Sequence, residues 1–583
     1  MSQLLTNLRL AAGVAAAHLT DDPIMLYQQL TRRLPAKLVQ PLAVLVGRLA
    51  PSGSTAMPVL LAALARGDSG DVRRRLSLAL TATPTPDRAG ALSDIATAAH
   101  CPDFADQFLS TAAPTARLQR ASARKLWHDG ALTSAVAAAD NSGRGSRLQR
   151  ARLTAEVSVL QNWTPVLAKQ TFVPVPGRVL HLLTNSLPHT ASGYAQRSHS
   201  ILRAQQDAGW EVLAATRIGY PVQVGKLFAK RVDVVDGVTY QRLLPAKLAA
   251  TADARLQQQA EELLSLALVF KPSVLHTTTH FVNGLVVRAV AEALGIPWVY
   301  EVRGQLADTW ASTRAPAARD SEKYRLFQHR EAEVMRDANL VVTLGEAMKT
   351  NIMALGVSSD KILISPNAVG GRFLQEPADT ATARRELGLA QAGLYIGTVS
   401  SLVDYEGLDD LISAFALLAP KHPQLRLLIV GDGASRPALE QQVRALGLSE
   451  RALFTGRVPR ALAPVYHQAL DVFVVPRKDL DVTRAVTPLK PVEALASARP
   501  VVGSNLPALR EIIDDGGNGI LVPAEDPPEL ANALSTLLSD ARRRKDMGRE
   551  GRRTVLRERT WAANAELLAE RYAGLHHEHE ENS

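Results

Sequence analysis

The 583 residues predict an all-α region followed by two doubly wound α/β domains facing one another across a cleft. Three observations carry this. Residues 1–170 are dominated by Ala and Leu and hold no strand-like alternation. A Pro-rich segment, Thr171-Phe-Val-Pro-Val-Pro-Gly-Arg, ends that pattern. Beyond it, short apolar runs alternate with helical segments in two successive sets. Such alternation implies parallel sheets covered on both faces, and two sets of about two hundred residues each imply two domains with a ligand site between them. The reading is a helical domain over 1–170, a first α/β domain over 171–375 and a second over 376–583.

In the first region, turn signals at Pro51-Ser-Gly, Asp68-Ser-Gly, Thr83-Pro84 and Asn141-Ser-Gly separate stretches of helical length. Residues 123–140 read as a helix-turn-helix with Gly130 at the turn. They resemble one unit of a tetratricopeptide-like array, against the alternative of a plain helical bundle. The first α/β set comprises Val179–Leu183, Val212–Ala215, Val274–His276, Trp298–Val302 and Leu340–Leu344. The second comprises Leu394–Val399, Leu425–Val430, Val472–Val475, Val501–Val502 and Gly519–Val522. Pro366–Phe373 falls between the sets, and His576-His-Glu-His reads as a disordered tail.

The net charge is +9, and it is uneven. Residues 1–170 hold 19 Lys and Arg against 11 Asp and Glu, while the remainder holds 47 against 46. The arginines lack the interleaved aromatics of a nucleic-acid surface. Attraction to anionic lipid and a merely solvated basic face both remain open. The single Cys101 excludes an internal disulfide and fits a reducing cytoplasm. The N-terminus lacks the pattern of a secretory signal. The apolar stretch Leu38–Ala65 is interrupted by Pro41, Arg48, Pro51 and Pro58, so it does not read as a membrane span.

The chemistry concentrates between Val474 and Pro507. A buried strand ends at Val475 and Pro476, a basic, hydroxyl-rich loop runs from Arg477 to Thr487, and a helix opens around Pro488–Pro491 with Glu493 in its first turns. Strand end, loop and helix start are where α/β sheets bind anions. Arg477 and Lys490 add charge suited to a diphosphate. In the first domain, the loop Pro188-His-Thr-Ala-Ser-Gly-Tyr-Ala-Gln-Arg offers Gly193 for close backbone approach, Ser192 as a helix cap, and Arg197. It holds no G-x-G-x-x-G, so a dinucleotide cofactor is not expected. Trp298-Val-Tyr-Glu-Val-Arg-Gly ends a strand with Glu301 and Arg303, suited to holding a phosphate or carboxylate or to anchoring the next loop. His276 and His280 lie near the previous strand end and read as structural.

Glu493-Ala-Leu-Ala-Ser-Ala-Arg-Pro-Val resembles the donor-site signature of retaining glycosyltransferases of family 4, which have the GT-B fold of two facing Rossmann-like domains. V-T-P-L-K-P resembles the branch that makes envelope polysaccharides and glycolipids. Ala485 stands where the family's first Glu is usual. Ser365-Pro-Asn-Ala-Val-Gly-Gly-Arg-Phe resembles the family hinge segment. Tyr395-Ile-Gly-Thr-Val-Ser-Ser-Leu-Val-Asp-Tyr-Glu-Gly resembles its phosphate loop, and Phe454-Thr-Gly-Arg-Val-Pro its nucleobase loop. Thr398 and Glu406 replace the usual phosphate-gripping cations, so Glu406 is expected to turn away or meet sugar hydroxyls.

The resemblance implies transfer of a sugar from a nucleotide diphosphate-sugar to a glycan or lipid-linked acceptor, with retention and without a metal or other cofactor. The enzyme would be a hexosyltransferase, cytoplasmic or peripheral on the inner membrane face. Arg477, Lys490 and Arg303 are the expected catalytic residues. Glu493, Thr487, Gly397, Thr398, Arg457, Val458 and Gly193 are the expected donor contacts. Region 1–170 would dock to a membrane or protein partner, and no nucleic acid is expected. The alternatives are a non-catalytic scaffold of the same fold and a nucleotide-sugar epimerase.

Overall fold

The computed structural model describes residues 3–581, apart from 34–35, 52, 112, 140–142 and 313. Helices come first, from Gln3–Asp21 to Gly143–Gln161, with no strand before Arg178 among the described residues. The turn signal at Asn141 falls outside them. Gly67 and Gly130, both left-handed, close the helices Met57–Arg66 and Ala116–Asp129.

These helices bury a core of their own around Leu60, Leu76, Leu92, Ile95 and Phe108, but the region is not freestanding. Leu132, Val157 and Leu160 share one apolar core with Leu180, Leu263 and Leu285 of the next domain. The Asn7 amide donates to the carbonyls of Leu227 and Ala229, at 2.8 and 2.9 Å. Residues 163–175 carry no regular structure. Backbone bonds from Gln170 to Ala293 and from Val175 to Lys271 seat them on the first α/β domain.

The first sheet contains β1 (Arg178–Leu183), β2 (Glu211–Thr216), β3 (Val232–Val235), β4 (Val238–Arg242), β5 (Val274–Thr278), β6 (Trp298–Glu301), β7 (Leu340–Thr343) and β8 (Ile362–Ile364). Their order is β3-β4-β2-β1-β5-β6-β7-β8, parallel throughout except for the β3–β4 hairpin. That hairpin turns on Asp236-Gly237, both at positive φ, as a tight two-residue turn requires. The second sheet contains β9 (Leu394–Val399), β10 (Leu425–Val430), β11 (Ala452–Gly456), β12 (Val472–Val475), β13 (Val501–Ser504) and β14 (Gly519–Val522), in the order β11-β10-β9-β12-β13-β14, all parallel. The central strands are buried from end to end, because helices cover both faces.

In each sheet the chain reverses direction beside its first strand, between β1 and β5 and between β9 and β12. Loops leaving two such strands diverge to opposite faces and open a crevice at their carboxyl ends. Two connections join the domains. One runs through Pro366–Phe373. The other, at Arg559–Trp561, lies against it through bonds between Val369 and both Arg559 and Trp561.

The last helix, Trp561–Glu581, returns to the first domain. Trp561, Leu568, Tyr572 and Leu575 join the core under β1 and β2, and the Tyr572 hydroxyl accepts from the Gln205 amide at 3.0 Å. The segment at His576, expected as a disordered tail, continues this helix. No proline follows to stop it.

Candidate active site

The crevice of the second domain is built by the loops after β9 and β12. Gly407, at φ 66°, brings them together: a Cβ there would sit 1.8 Å from the Pro476 carbonyl oxygen. Across this contact Glu406 accepts from Arg477 Nη2 at 2.8 Å and Nε at 3.2 Å, a bidentate pair. Arg477 Nη1 also donates to the Val486 carbonyl at 2.9 Å. Burial would lower the Arg477 pKa, and the Glu406 carboxylate more than offsets this and raises it. Glu406 therefore neither turns away nor stands free. It compensates a buried guanidinium 71 positions along the chain. Three of the five Arg477 N–H groups are used, leaving two.

Glu493 lies on the short helix Lys490–Ala496, nearly buried. Its Oε2 accepts from Lys490 Nζ at 2.8 Å and lies 3.5 Å from His467 Nε2. Burial would raise its pKa, but Lys490 and His467 more than reverse this and bring it to about 2. His467 is fully buried, which lowers its own pKa and keeps the ring neutral at pH 7. Oε1 accepts no hydrogen bond among the described residues, and Lys490 uses one of its three donors.

Three expected donor contacts are placed otherwise. Gly397 is inside β9, where a Cβ would lie 1.9 Å from the Leu428 carbonyl oxygen, so it serves strand packing. Thr398 is the next residue of the same strand and is buried. The loop begins two residues later, at Ser400, whose buried Oγ has no hydrogen-bond partner among the described residues. Gly431 and Gly433 clear a path for it, since a Cβ on either would strike the Ser400 or Leu402 carbonyl. Thr487 faces the domain junction: its carbonyl accepts from Asn367 Nδ2 at 2.8 Å and its hydroxyl donates to the Leu344 carbonyl. Arg457 and Val458 follow β11, the first exposed and the second half-buried.

In the first domain, Ser192 caps the helix Gly193–Asp207 by accepting from the Ala195 N–H at 3.3 Å. Gly193 is exposed, with no protein atom within 4 Å of where its Cβ would be. Arg303 is not an open phosphate ligand. It is buried, donates to the Tyr194 carbonyl and to Ser198 Oγ at 3.0 and 2.7 Å, and pairs with Glu301.

Arg197 holds the other Glu301 oxygen at 2.7–2.8 Å and binds the Ser365 and Pro366 carbonyls and Asn367 Oδ1 of the hinge. Burial would raise the Glu301 carboxyl, but Arg303 and Arg197 drive it well below the usual range. The Glu301 cluster thus locks the hinge to the cleft floor. His276 is buried beside it against Tyr572, and His280 caps a helix.

Tyr194 spans the two halves. Its hydroxyl lies 3.2 Å from where a Gly304 Cβ would be, and Val486 of the second domain lies 4.0 Å from the same point. Tyr194 is itself 56% exposed, and the charges of Arg303 and Arg477, one from each domain, act on its hydroxyl. The residue types alone did not point to Tyr194, although it stands in the quoted loop.

Residues 379–554 match the family described as glycosyl transferases group 1, and residues 192–368 match a glycosyl transferase 4-like domain. Together they span more than half of the chain. The chain belongs to the group 1 glycosyltransferases. It is 30% identical over 241 residues to the GDP-mannose-dependent alpha-(1-6)-phosphatidylinositol monomannoside mannosyltransferase of Mycolicibacterium smegmatis, covering 41% of this chain and 63% of that one. It is 32% identical over 255 residues to the D-inositol 3-phosphate glycosyltransferase of Nocardia farcinica, covering 42% and 54%. The matches thus span between half and two thirds of these relatives.

The fold is GT-B. Sucrose-phosphate synthase from Thermosynechococcus elongatus superposes with TM-score 0.57 at 21% identity, over 68% of this chain and 99% of that one. Anabaena HepE in complex with UDP superposes with TM-score 0.54 at 18% identity, over 68% and 100%.

Proposed function

We propose that this group 1 glycosyltransferase moves a sugar from a nucleotide diphosphate-sugar to an acceptor with retention of configuration. The observation that carries the reading is the corner where β9 and β12 part. There, among the described residues, Glu493 presents a carboxylate oxygen that accepts no hydrogen bond, Lys490 two unused N–H donors, and Arg477 two more. Glu493 Oε1 accepts from the ribose hydroxyls. Lys490 and Arg477 face the diphosphate and stabilise charge as it leaves, since fixed donors aimed at developing charge are a large source of catalysis. These two cations supply the neutralisation without a metal ion. The bond from the anomeric carbon to the diphosphate oxygen breaks, the acceptor oxygen bonds to that carbon on the same face, and the acceptor proton passes to the leaving phosphate. Full-length protein titrated with a panel of nucleotide-sugars, followed by nucleotide release, tests this. A scaffold would bind no nucleotide-sugar and release no nucleotide.

The acceptor we favour is carried on an anionic membrane at the inner face of the cell. The M. smegmatis relative is named for a phosphatidylinositol mannoside, which agrees with this choice. No helix among the described residues is long and apolar enough to cross a membrane. The helix Ala36–Leu49, however, exposes Leu42, Leu45 and Leu49 at 63, 51 and 76%. Arg48 of this helix joins Arg66, Arg74 and Arg75 in lining an open cavity of about 580 Å³ that also holds Asp68 and Asp71, and Asp71 pairs with the last three arginines. An apolar helix face flanked by excess arginine fits an anionic interface, at about 1 kcal/mol per well-placed cation.

A further inference from the structure

A second cavity, about 330 Å³, opens in the first domain at the carboxyl ends of β5 and β6. His280, which follows β5 and caps the helix Phe281–Leu294, stands at one side. Leu306, Thr309 and Trp310 come from the helix Leu306–Ser312 that follows β6, and Lys323 and Phe327 from the helix Glu322–Asp337. The cavity adjoins the cleft floor. Thr279, next to His280, accepts from the Arg303 N–H and bonds the Glu301 carbonyl. Arg319, between the two helices, pairs with Asp481 of the second domain.

The helical region built before the first sheet forms its back wall. Lys323 Nζ lies over two indoles, 5.3 Å from the ring centre of Trp310 and 5.4 Å from that of Trp127. The turn of the helix-turn-helix at 123–140 clasps this corner. Gly130, at φ 87°, accepts from the Lys323 N–H at 2.9 Å, and a Cβ on it would strike Ser321 and Trp310. Thr133 N–H donates to Glu322 at 2.7 Å.

Among the described residues no acid lies within ion-pair distance of Lys323 Nζ. Burial lowers its pKa to about 8, with the field of Glu156 acting the other way, so it is still protonated at pH 7. A desolvated cation held by aromatic faces, without a carboxylate partner, is suited to a ligand that brings the anion. The rest of the lining, Leu306, Trp310 and Phe327, suits the C–H face of a small ring.

We infer that this cavity holds the phosphorylated ring of the acceptor, a sugar or cyclic polyol phosphate, with Lys323 on the phosphate and Trp310 and Phe327 on the ring. The inference rests on the glycosyl-transfer reading above, and it gives the helical region a part in acceptor recognition through Trp127 and Gly130.

The test is calorimetric titration of the full-length chain, without donor, with inositol 3-phosphate and glucose 6-phosphate, and with neutral inositol and glucose. At least one phosphorylated ring should bind tenfold or more tighter than its neutral parent. Lys323→Met should abolish that difference and Lys323→Arg should keep it. Thr309→Glu, at an exposed rim position, should weaken the same ligand tenfold even if Lys323→Met fails to fold. No binding by either phosphate, equal binding of the neutral rings, or unchanged affinity in Thr309→Glu would overturn the assignment. A protein that binds UDP or GDP normally and fails these titrations loses only this inference. One that binds a ring phosphate and no nucleotide loses the transferase reading instead.

Discussion

Replacing Glu493 by glutamine keeps the size of the side chain and removes its charge, so the variant isolates what the carboxylate does. In the protein Oε2 accepts from Lys490 and lies 3.5 Å from His467 Nε2, while Oε1 accepts no hydrogen bond among the described residues. If Oε1 receives ribose hydroxyls, each bond is charge-assisted and worth about 1.5–3 kcal/mol. The amide oxygen of glutamine still accepts, more weakly, so the net loss should be roughly 2–3 kcal/mol, or about 30- to 150-fold in affinity.

The same substitution carries a stability signature. Glu493 titrates at about 2 against an ordinary 4.5, so its stabilisation is fully present above pH 4.5 and is lost as pH falls from there towards 2. At about 1.4 kcal/mol per unit this comes to about 3.5 kcal/mol, an upper figure because Lys490 is partly exposed. The melting temperature of Glu493→Gln should therefore fall less steeply below pH 4.5 than that of the native chain. Calorimetric titration with UDP and GDP, paired with thermal melts, reads both effects. A folded variant with native nucleotide affinity would refute the assignment of Glu493 to the donor.

Other expectations follow from the neighbouring contacts. Glu406→Ala leaves the buried Arg477 guanidinium uncompensated and should cost about 3–5 kcal/mol of stability. Nucleotide diphosphate should restore more melting temperature to it than to the native chain, and an unchanged melt would show that the pair is not structural. Arg477→Ala should lower nucleotide release by roughly two to three orders of magnitude, and near-native turnover would remove it from the diphosphate site. Gly407→Ala places a methyl against the Pro476 carbonyl and should abolish donor binding by parting the two loops, which titration of the soluble variant checks. Co-sedimentation of the full-length chain with anionic vesicles should weaken when Leu42, Leu45 and Leu49 are replaced together by glutamine, and again at high salt. Equal sedimentation of the variant would exclude this face as the docking surface.

Central strands were legible because a parallel strand covered on both faces is apolar along most of its length. Leu394–Val399, Leu425–Val430 and Val472–Val475 coincide with β9, β10 and β12 for that reason. Edge strands lack this signature. In β3, Val232 and Val234 point outward, and β8 has three residues. The helix-turn-helix at Gly130 was readable from one left-handed glycine, but what its turn would clasp was not. Sequence order also misassigned the last helix, whose Trp561 and Tyr572 pack in the first domain although they follow the second. Within the site, position in a motif failed where backbone geometry decides. Gly397 and Thr398 stand in a phosphate-loop pattern, yet they lie inside β9 and the exposed loop starts after them.

The charge arrangement in the second domain follows from one replacement. A carboxylate at position 406 forces a cation into its reach, and Arg477 fills that need from the other side of the switch point. The pair is neutral as a unit, but the guanidinium keeps two donors directed elsewhere while its position is fixed by two bonds to Glu406. A lysine on a flexible stem would hold a diphosphate by charge alone. Arg477, buttressed by Glu406 and the Val486 carbonyl, is held in one geometry before any ligand arrives, and preorganisation lowers the entropy lost on binding. The same logic appears across the cleft, where Glu301 fixes Arg197 on the hinge and Arg303 under Tyr194. Each buried acid positions an arginine at a place where the two domains meet. The positions of the guanidiniums are thus coupled to the hinge, and a substitution at Glu301 should alter domain closure as well as local stability.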